Sequence, residues 1–289
     1  MDKVLAQQNT AKYSLGALLR EGKTKQIYAV KGKPQLVLIV SKDDITAGDG
    51  AKHDLIPKKG ALATETTCNV FRFLQTRGVA TAFVEQDNFN SFVAKRCNML
   101  PYEVVVRREA HGSYLKRNPN MEKGHRFAEL LSELFLKTEG RHWKDHELVC
   151  DDPLMIIDST EKTVHLYDPS KPFESTDAFL VLPYSEVSSR GEDEALLSAM
   201  AEDAKATFLH LEDAWDSQGR KLVDFKVEYG IDTEGNLLLA DVIDNDSWRV
   251  IEDDGSYIDK QVYRDGGELV EVAAKYHRVA ALTSRFLPE

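Results

Sequence analysis

The stretch Lys221-Leu-Val-Asp-Phe-Lys-Val-Glu-Tyr-Gly-Ile-Asp-Thr-Glu-Gly-Asn-Leu-Leu-Leu-Ala-Asp-Val-Ile-Asp-Asn-Asp246 decides the fold class. Lys221 to Tyr229 and Asn236 to Ile243 read as two strands joined by an Asp-Thr-Glu-Gly turn. Side chains alternate across a strand, so Lys226 and Glu228 share one face while Phe225 and Val227 share the other. A turn centred between Thr233 and Glu234 puts Glu228 opposite Leu239 and Lys226 opposite Asp241. Glu228 and Asp241 are then diagonal neighbours within reach of one Mg2+. Oxygen ligands with no nearby His or Cys favour Mg2+ over zinc. A solvated hairpin face with ordinary acids is the competing reading, and a one-residue shift of the turn removes the geometry.

Toward the N-terminus, Lys25 to Val30 and Gln35 to Val40 read as strands around a Gly-Lys-Pro turn. Thr46 to Ala51 reads as a loop, and Leu62, Thr66, Val70, Phe73 and Leu74 recur at helical spacing before Gly78. Thr81 to Gln86, Phe89 to Arg96 and Glu103 to Arg108 are short and rich in β-formers. This first part is a twisted antiparallel sheet carrying a helix. Residues 1–20 predict a terminal segment with one or two helical turns. Lys123 to Lys137 predicts a helix, with Phe127, Leu130, Leu131 and Leu134 on one side. Residues 138–175 read as long connections with one hairpin near Met155 to Leu166. Residues 191–215 give the clearest helix, whose stripe of Leu196, Leu197, Met200, Ala204, Phe208 and Leu211 is core packing. A last helix runs from about Gly267 to Arg285. The class is α+β.

At 289 residues the chain exceeds the common single-domain size, which favours two joined domains. Acidic residues outnumber basic ones, 48 to 37, for a formal charge of −11. A general nucleic-acid coat is excluded by that balance, but an anionic small molecule in a local basic pocket is not. Cys68, Cys97 and Cys150 form no disulfide or zinc spacing. The first residues lack a signal-peptide core, and no apolar run is long enough to span a membrane. A cytoplasmic protein is expected, without nucleic-acid or membrane partners.

Three other places carry chemistry. Gly22-Lys23-Thr24-Lys25 is not a standard phosphate loop, because the residues after it are β-like and supply no helix N-terminus. A glycine-bearing strand–turn–strand can still lie over a nucleotide, with Lys23 or Lys25 reaching phosphate; a solvated basic turn is the alternative. Glu103 to Lys116 is an arginine-bearing strand entering a Gly-Ser turn, with Arg117 next. Arg107 or Arg108, with Lys116 and Arg117, can hold a phosphate or carboxylate, and Ser113 adds a donor. A charged edge strand explains the same residues. His111 reads as a hydrogen-bonding residue rather than a base. Asp49, between Gly48 and Gly50, sits where backbone can approach a ligand, or in a plain turn.

Taken together, Glu21-Gly-Lys-Thr-Lys-Gln-Ile-Tyr28, Ala47-Gly-Asp-Gly50, Glu103-Val-Val-Val-Arg107, Gly112-Ser113, Asp224-Phe-Lys-Val-Glu-Tyr-Gly230 and Asp241 resemble the phosphoribosylaminoimidazole-succinocarboxamide synthase (SAICAR synthetase) family, over roughly residues 14 to 285. The resemblance implies a kinase-like antiparallel N-terminal lobe, residues 1–102, and a larger ATP-binding α+β lobe with a C-terminal helix, residues 103–289. It implies an ATP- and Mg2+-dependent ligase that joins L-aspartate to carboxyaminoimidazole ribonucleotide. By the same resemblance Gly22, Lys23 and Lys25 contact ATP phosphates. Lys95 and Met99 border the adenine cleft, and Glu103 meets the sugar or amine. Lys137 and Lys226 face the nucleotide or the transferred phosphoryl group, and Glu228 and Asp241 bind Mg2+. Arg107, Ser113 and Arg249 hold the ribonucleotide, with Asp49 near its imidazole or ribose. Residues 145–185 are longer than in short bacterial forms, and Asp246-Ser-Trp-Arg249 resembles a longer eukaryote-like pattern. A homo-oligomer is left open.

The chemistry needs an activated carboxylate, because oxide is not a leaving group at neutral pH. A small-molecule kinase shares the lysines and acidic pair, but usually has an aspartate base in a His-Arg-Asp loop, a tripeptide absent here. A nucleotide-regulated binding protein that has lost catalysis is the other rival. The expected charge map segregates: acidic outside, with Lys23, Lys25, Arg107, Lys137, Lys226 and Arg249 converging in one cleft.

Overall fold

The computed structural model describes residues 12–47, 52–173, 176–188 and 194–287. Two antiparallel sheets organise the chain. The first has the order β1-β2-β3-β7-β6 and is built from β1 (Leu15–Glu21), β2 (Lys25–Val30), β3 (Leu36–Ser41), β6 (Phe83–Asn88) and β7 (Ser91–Lys95). Between β3 and β6 come the small ribbon of β4 (Asp44–Ala47) and β5 (Lys52–Leu55), then α1 (Lys59–Thr76). Asp43 anchors the start of α1, accepting from the Lys58 and Gly60 backbone at 3.0 and 2.8 Å. Phe71 of α1 stacks on Phe83 of β6, centroids 5.8 Å apart.

The second sheet begins with β8 (Cys97–Glu109), followed by the short α2 (Ser113–Arg117) and β9 (Arg126–Leu136). A two-stranded ribbon of β10 (His142–Trp143) and β11 (His146–Glu147) leads to β12 (Leu154–Asp158), β13 (Thr163–Tyr167) and β14 (Leu180–Pro183). Then come α3 (Tyr184–Val187), the long α4 (Glu194–Ser217), β15 (Lys221–Asp232), β16 (Leu237–Ala240) and β17 (Trp248–Ile251). The order is β14-β13-β12-β9-β8-β15-β16. β16 and β17 lie end to end on the same edge of β15, pairing with its two halves. The segment between them, 241–247, therefore runs beside Lys226, whose N–H donates to the Ser247 carbonyl at 2.7 Å. The chain ends in α5 (Gln261–Arg264) and α6 (Leu269–Thr283).

One face of the second sheet is core. Tyr102, Val104, Val106, Phe225, Val227 and Tyr229 are almost wholly buried on it. They share a core with Leu197, Met200, Ala204, Phe208 and Leu211 of α4, and Phe208 meets Phe225 edge-on at 5.4 Å. Burying such a side chain is worth about 1.5–3 kcal/mol. The sheets meet where Thr81 bridges Leu239 in parallel, with Ala82 N donating to Leu239 O at 2.8 Å.

Three expectations are corrected. The helix over 123–137 is strand β9, hydrogen-bonded to β8 and β12 on its two sides. Its Ala, Glu and Leu content suits a helix, but two waiting strand edges outweigh a weak intrinsic preference. Instead of helical turns, the N-terminal segment gives strand β1, at Leu15–Glu21; residues 1–11 lie outside the described residues. Thr46 and Ala47, read as loop, end strand β4.

Candidate active site

The other face of the second sheet carries the charge. Across the β8–β15 ladder, Arg107 opposes Asp224, Val105 opposes Lys226 and Glu103 opposes Glu228. Alternation puts all six on one face. β17 brings Arg249 opposite Asp224 from the other side. A cleft of about 210 Å³ opens here, lined by Glu103, Arg107, Ser113, Asp224, Lys226 and Arg249 among others.

At one end of this face lie the two carboxylates singled out from the sequence. The hairpin register differs from the expected one by a residue: Glu228 pairs with Ala240, and Tyr229 with Leu239. A continued ladder would put Asp241 on the wrong face. The ladder stops at Ala240, and Asp241 takes a left-handed φ of 63°. Asp241 and Glu228 remain electrostatic neighbours, so the pairing expected from a wrong register arises by leaving the ladder. Lys25 ion-pairs with Asp241 and Lys137 with Glu228. Lys226 donates to Glu103 at 2.7 Å. Burial and then the adjacent Asp241 raise the Glu228 carboxyl above its ordinary value. Burial works the same way on Asp241, but Lys25, Lys137 and Lys226 outweigh it and hold that carboxyl low. Burial opposes charge on Lys25 and Lys226 too, yet the surrounding carboxylates raise both.

No group of three or more His, Cys, Asp and Glu among the described residues is arranged to hold a metal alone. Two carboxylates fit Mg2+, which commonly binds one or two protein carboxylates together with substrate phosphates. Glu228 and Asp241 repel each other in a buried place, and a cation relieves that repulsion.

At the other end, Arg107 is 2% exposed and donates from Nε to Glu133 at 2.7 Å and from Nη1 to Asp224 at 2.8 Å. Its Nη2 reaches the Ser113 hydroxyl at 3.3 Å. Arg249 donates from Nη1 to the same Asp224 oxygen at 2.7 Å. Gly112 has φ +56°, and a Cβ there would lie 2.2 Å from Arg249 Nη2. Glycine therefore meets two demands at once, the backbone angle and the space for the guanidinium. His111 accepts or donates at Tyr257 Oη, 2.6 Å away, and burial lowers its basicity.

Lys25, Arg107, Lys137, Lys226 and Arg249 thus converge on one face. The sixth cation, Lys23, does not join them: it is exposed on the β1–β2 turn, where Gly22 N donates to Lys25 O at 2.8 Å. Lys95 is also exposed and pairs with Asp232 at 3.3 Å. Met99 is half-buried beside Gly230, the glycine that lets β8 and β15 close up. Asp49, Gly48 and Gly50 lie outside the described residues. Arg108 turns away to a two-pronged bond with Glu212 of α4, both contacts 2.7 Å, and Lys116 is exposed. Sequence reading assigned no role to Asp224, Glu133 or Asp152. Asp224 stands inside the Asp224–Gly230 motif, and its place opposite Arg107 emerges once the strands are paired. Glu133 was hidden in the misread helix. Asp152, at φ 46°, caps Thr138 N at 2.8 Å, and burial raises its carboxyl near Glu103, Lys226 and Lys137.

Known proteins match this arrangement over nearly the whole chain. The sequence profile of the SAICAR synthetase family covers residues 18–282. The phosphoribosylaminoimidazole-succinocarboxamide synthase of Roseiflexus sp. (strain RS-1) is 41% identical over 283 residues, spanning 95% of this chain and 99% of its own. The enzyme of that name from Chloroflexus aurantiacus (strain ATCC 29366 / DSM 635 / J-10-fl) is 39% identical over 279 residues, 94% of this chain and 98% of its own. Among solved structures, a SAICAR synthetase in complex with ADP superposes with a TM-score of 0.73 at 27% identity, covering 93% of this chain and 99% of that one. With its charged sheet face, its acidic pair and a match from one end of the fold to the other, the chain belongs to the SAICAR synthetase family.

Proposed function

We infer that this chain is the ATP-dependent carbon–nitrogen ligase that joins L-aspartate to the carboxylate of carboxyaminoimidazole ribonucleotide, giving SAICAR, ADP and phosphate in purine biosynthesis. The observation that carries the residue assignments is the charged cluster in which Lys25 of β2, Lys137 and Lys226 surround Glu228 and Asp241, beside the Arg107–Arg249 pair. The three reactants are anionic, and an acidic protein with its cations gathered at one site suits them.

ATP phosphates lie over the lysine end. Gly22 and Lys23 meet them from the β1–β2 turn, Lys25 and Lys137 from within the cleft, while Lys95 and Met99 border the base and Glu103 the sugar. Glu228 and Asp241 hold Mg2+, which when bound offsets charge on the oxygens of the transferring phosphoryl group. Both carboxylates are now ion-paired, so Lys25 and Lys137 move from carboxylate to phosphate as nucleotide enters. Arg107, Ser113 and Arg249 orient the ribonucleotide, with Asp49 near its imidazole or ribose. Its carboxylate attacks the γ-phosphoryl group and becomes an acyl phosphate. Lys226, between the two ends, neutralises charge on the group in transit. The deprotonated aspartate amine then attacks the acyl carbon and phosphate departs. No protein nucleophile is needed.

The reading includes two lobes divided at residue 102, a boundary that falls inside β8, whereas the chain changes sheet six residues earlier, between β7 and β8; it also includes a cytoplasmic location, supported by three free thiols. No helix among the described residues is long and apolar enough to cross a membrane. Mixing the protein with MgATP, the ribonucleotide and aspartate tests the function. ADP release should require both other substrates, or nearly so. Phosphoryl transfer to a sugar or alcohol hydroxyl without aspartate overturns it.

A further inference from the structure

Behind the site runs a row of five alternating charges: Arg117, Glu133, Arg107, Asp224, Arg249. Arg117 is wholly buried and ion-pairs with Glu133. Its guanidinium lies 5.9, 5.6 and 5.8 Å from the ring centres of Tyr114, Phe135 and Phe173. Its Nε and Nη1 have no hydrogen-bond partner. The second oxygen of Glu133 accepts from Arg107, and one oxygen of Asp224 accepts from both Arg107 and Arg249. Side-chain exposure is 0% at Arg117 and 18% at Arg249, the open end. Neither Arg117 nor Glu133 lines the cleft.

Burying a guanidinium with two unmet donors is costly, and an apolar side chain among three rings would pack there more cheaply. The charge count gives a reason to keep it. Three guanidiniums against two carboxylates leave one positive charge in the row. Without Arg117, two carboxylates would neutralise two guanidiniums, and the row itself would offer a substrate anion no surplus charge, leaving Lys226 and Arg264 as the other cations lining the cleft. In a medium of low dielectric, charge at the closed end is felt along the row.

We propose that Arg117 and Glu133 are positioning residues for the ribonucleotide: they fix the plane of Arg107 and leave the row's surplus positive charge on the Arg107–Arg249 pair. The inference rests on the ligase reading, which fails on its own if the wild-type protein makes no SAICAR. The test is steady-state kinetics with each substrate varied in turn. Arg117→Met should raise KM for the ribonucleotide about tenfold while KM for ATP stays within about twofold. Arg117→Lys keeps the charge and should stay within about threefold of wild type. Glu133→Gln added to Arg117→Met restores the surplus of one and should recover most of the loss. That double variant leaves no charge unpaired at the closed end of the row and is the most secure to fold. Measured alone, a ribonucleotide KM near wild type supports the proposal, and a rise of about tenfold or more overturns it. An equal rise in both KM values for Arg117→Met, or a double variant worse than the single, also overturns it.

Discussion

The two faces of the second sheet share strands β8 and β15 but obey different rules. Toward α4 they present Tyr102, Val104, Val106, Phe225, Val227 and Tyr229, none more than 2% exposed. Toward the cleft the same strands present Glu103, Arg107, Asp224, Lys226 and Glu228. On the first face any well-shaped apolar side chain serves, and contact area sets its worth. On the second, each charge is tolerated because a partner of opposite sign lies across the ladder or beside it. Alternation alone separates the two within one residue's spacing. Damage to the first face should therefore appear as lost stability, and damage to the second as lost chemistry.

The largest effect expected is on the charged face. Glu228→Ala or Asp241→Ala should lower turnover by about 10³-fold or more, with the fold intact by circular dichroism. A variant retaining wild-type rate and Mg2+ dependence would break the comparison at its centre. On the apolar face, Phe208→Ala should cost about 3–5 kcal/mol in denaturant unfolding and leave the rate per folded molecule unchanged. A rate loss with full stability would show that the faces are not separable. Gly112→Ala presses on Arg249 and strains the backbone; a rise of about tenfold in ribonucleotide KM is expected, with ATP KM little changed.

A pH dependence of stability tests the frame away from both faces. Burial pushes the Asp259 carboxyl up to about 7, against the pull of the Gln261 and Val250 backbone donors. The folded state then keeps a proton that the unfolded chain releases near pH 4, so this group's contribution makes stability fall as pH rises from about 4 to about 7. Asp259→Asn should flatten the melting temperature across that window, and an unchanged slope would refute the assignment.

The apolar face was largely legible from the chain. The stripe Leu196, Leu197, Met200, Ala204, Phe208 and Leu211 and the alternation around Phe225 and Val227 are local patterns, and local patterns survive folding. The charged face was legible where its residues sat in one motif, as Lys226 and Glu228 do. Its wiring was not. Glu133 meets Arg107 only because 126–136 is a strand, and Phe127, Leu130, Leu131 and Leu134 are spaced as a helix would space them. Asp241 reaches Glu228 through one backbone angle that no periodicity encodes. Lys23 looked like its neighbour Lys25, yet the turn leaves it exposed.

That left-handed Asp241 has an evolutionary cost. Its conformation favours glycine or asparagine, and a side chain held there gives up about 1–2 kcal/mol of conformational ease. A lineage or a laboratory selection rewarding heat resistance alone would be drawn to replace it, gaining robustness and discarding the carboxylate proposed above to hold Mg2+. Persistence of aspartate at 241 across variants evolved under such pressure would thus measure how strongly catalysis, rather than folding, governs this position.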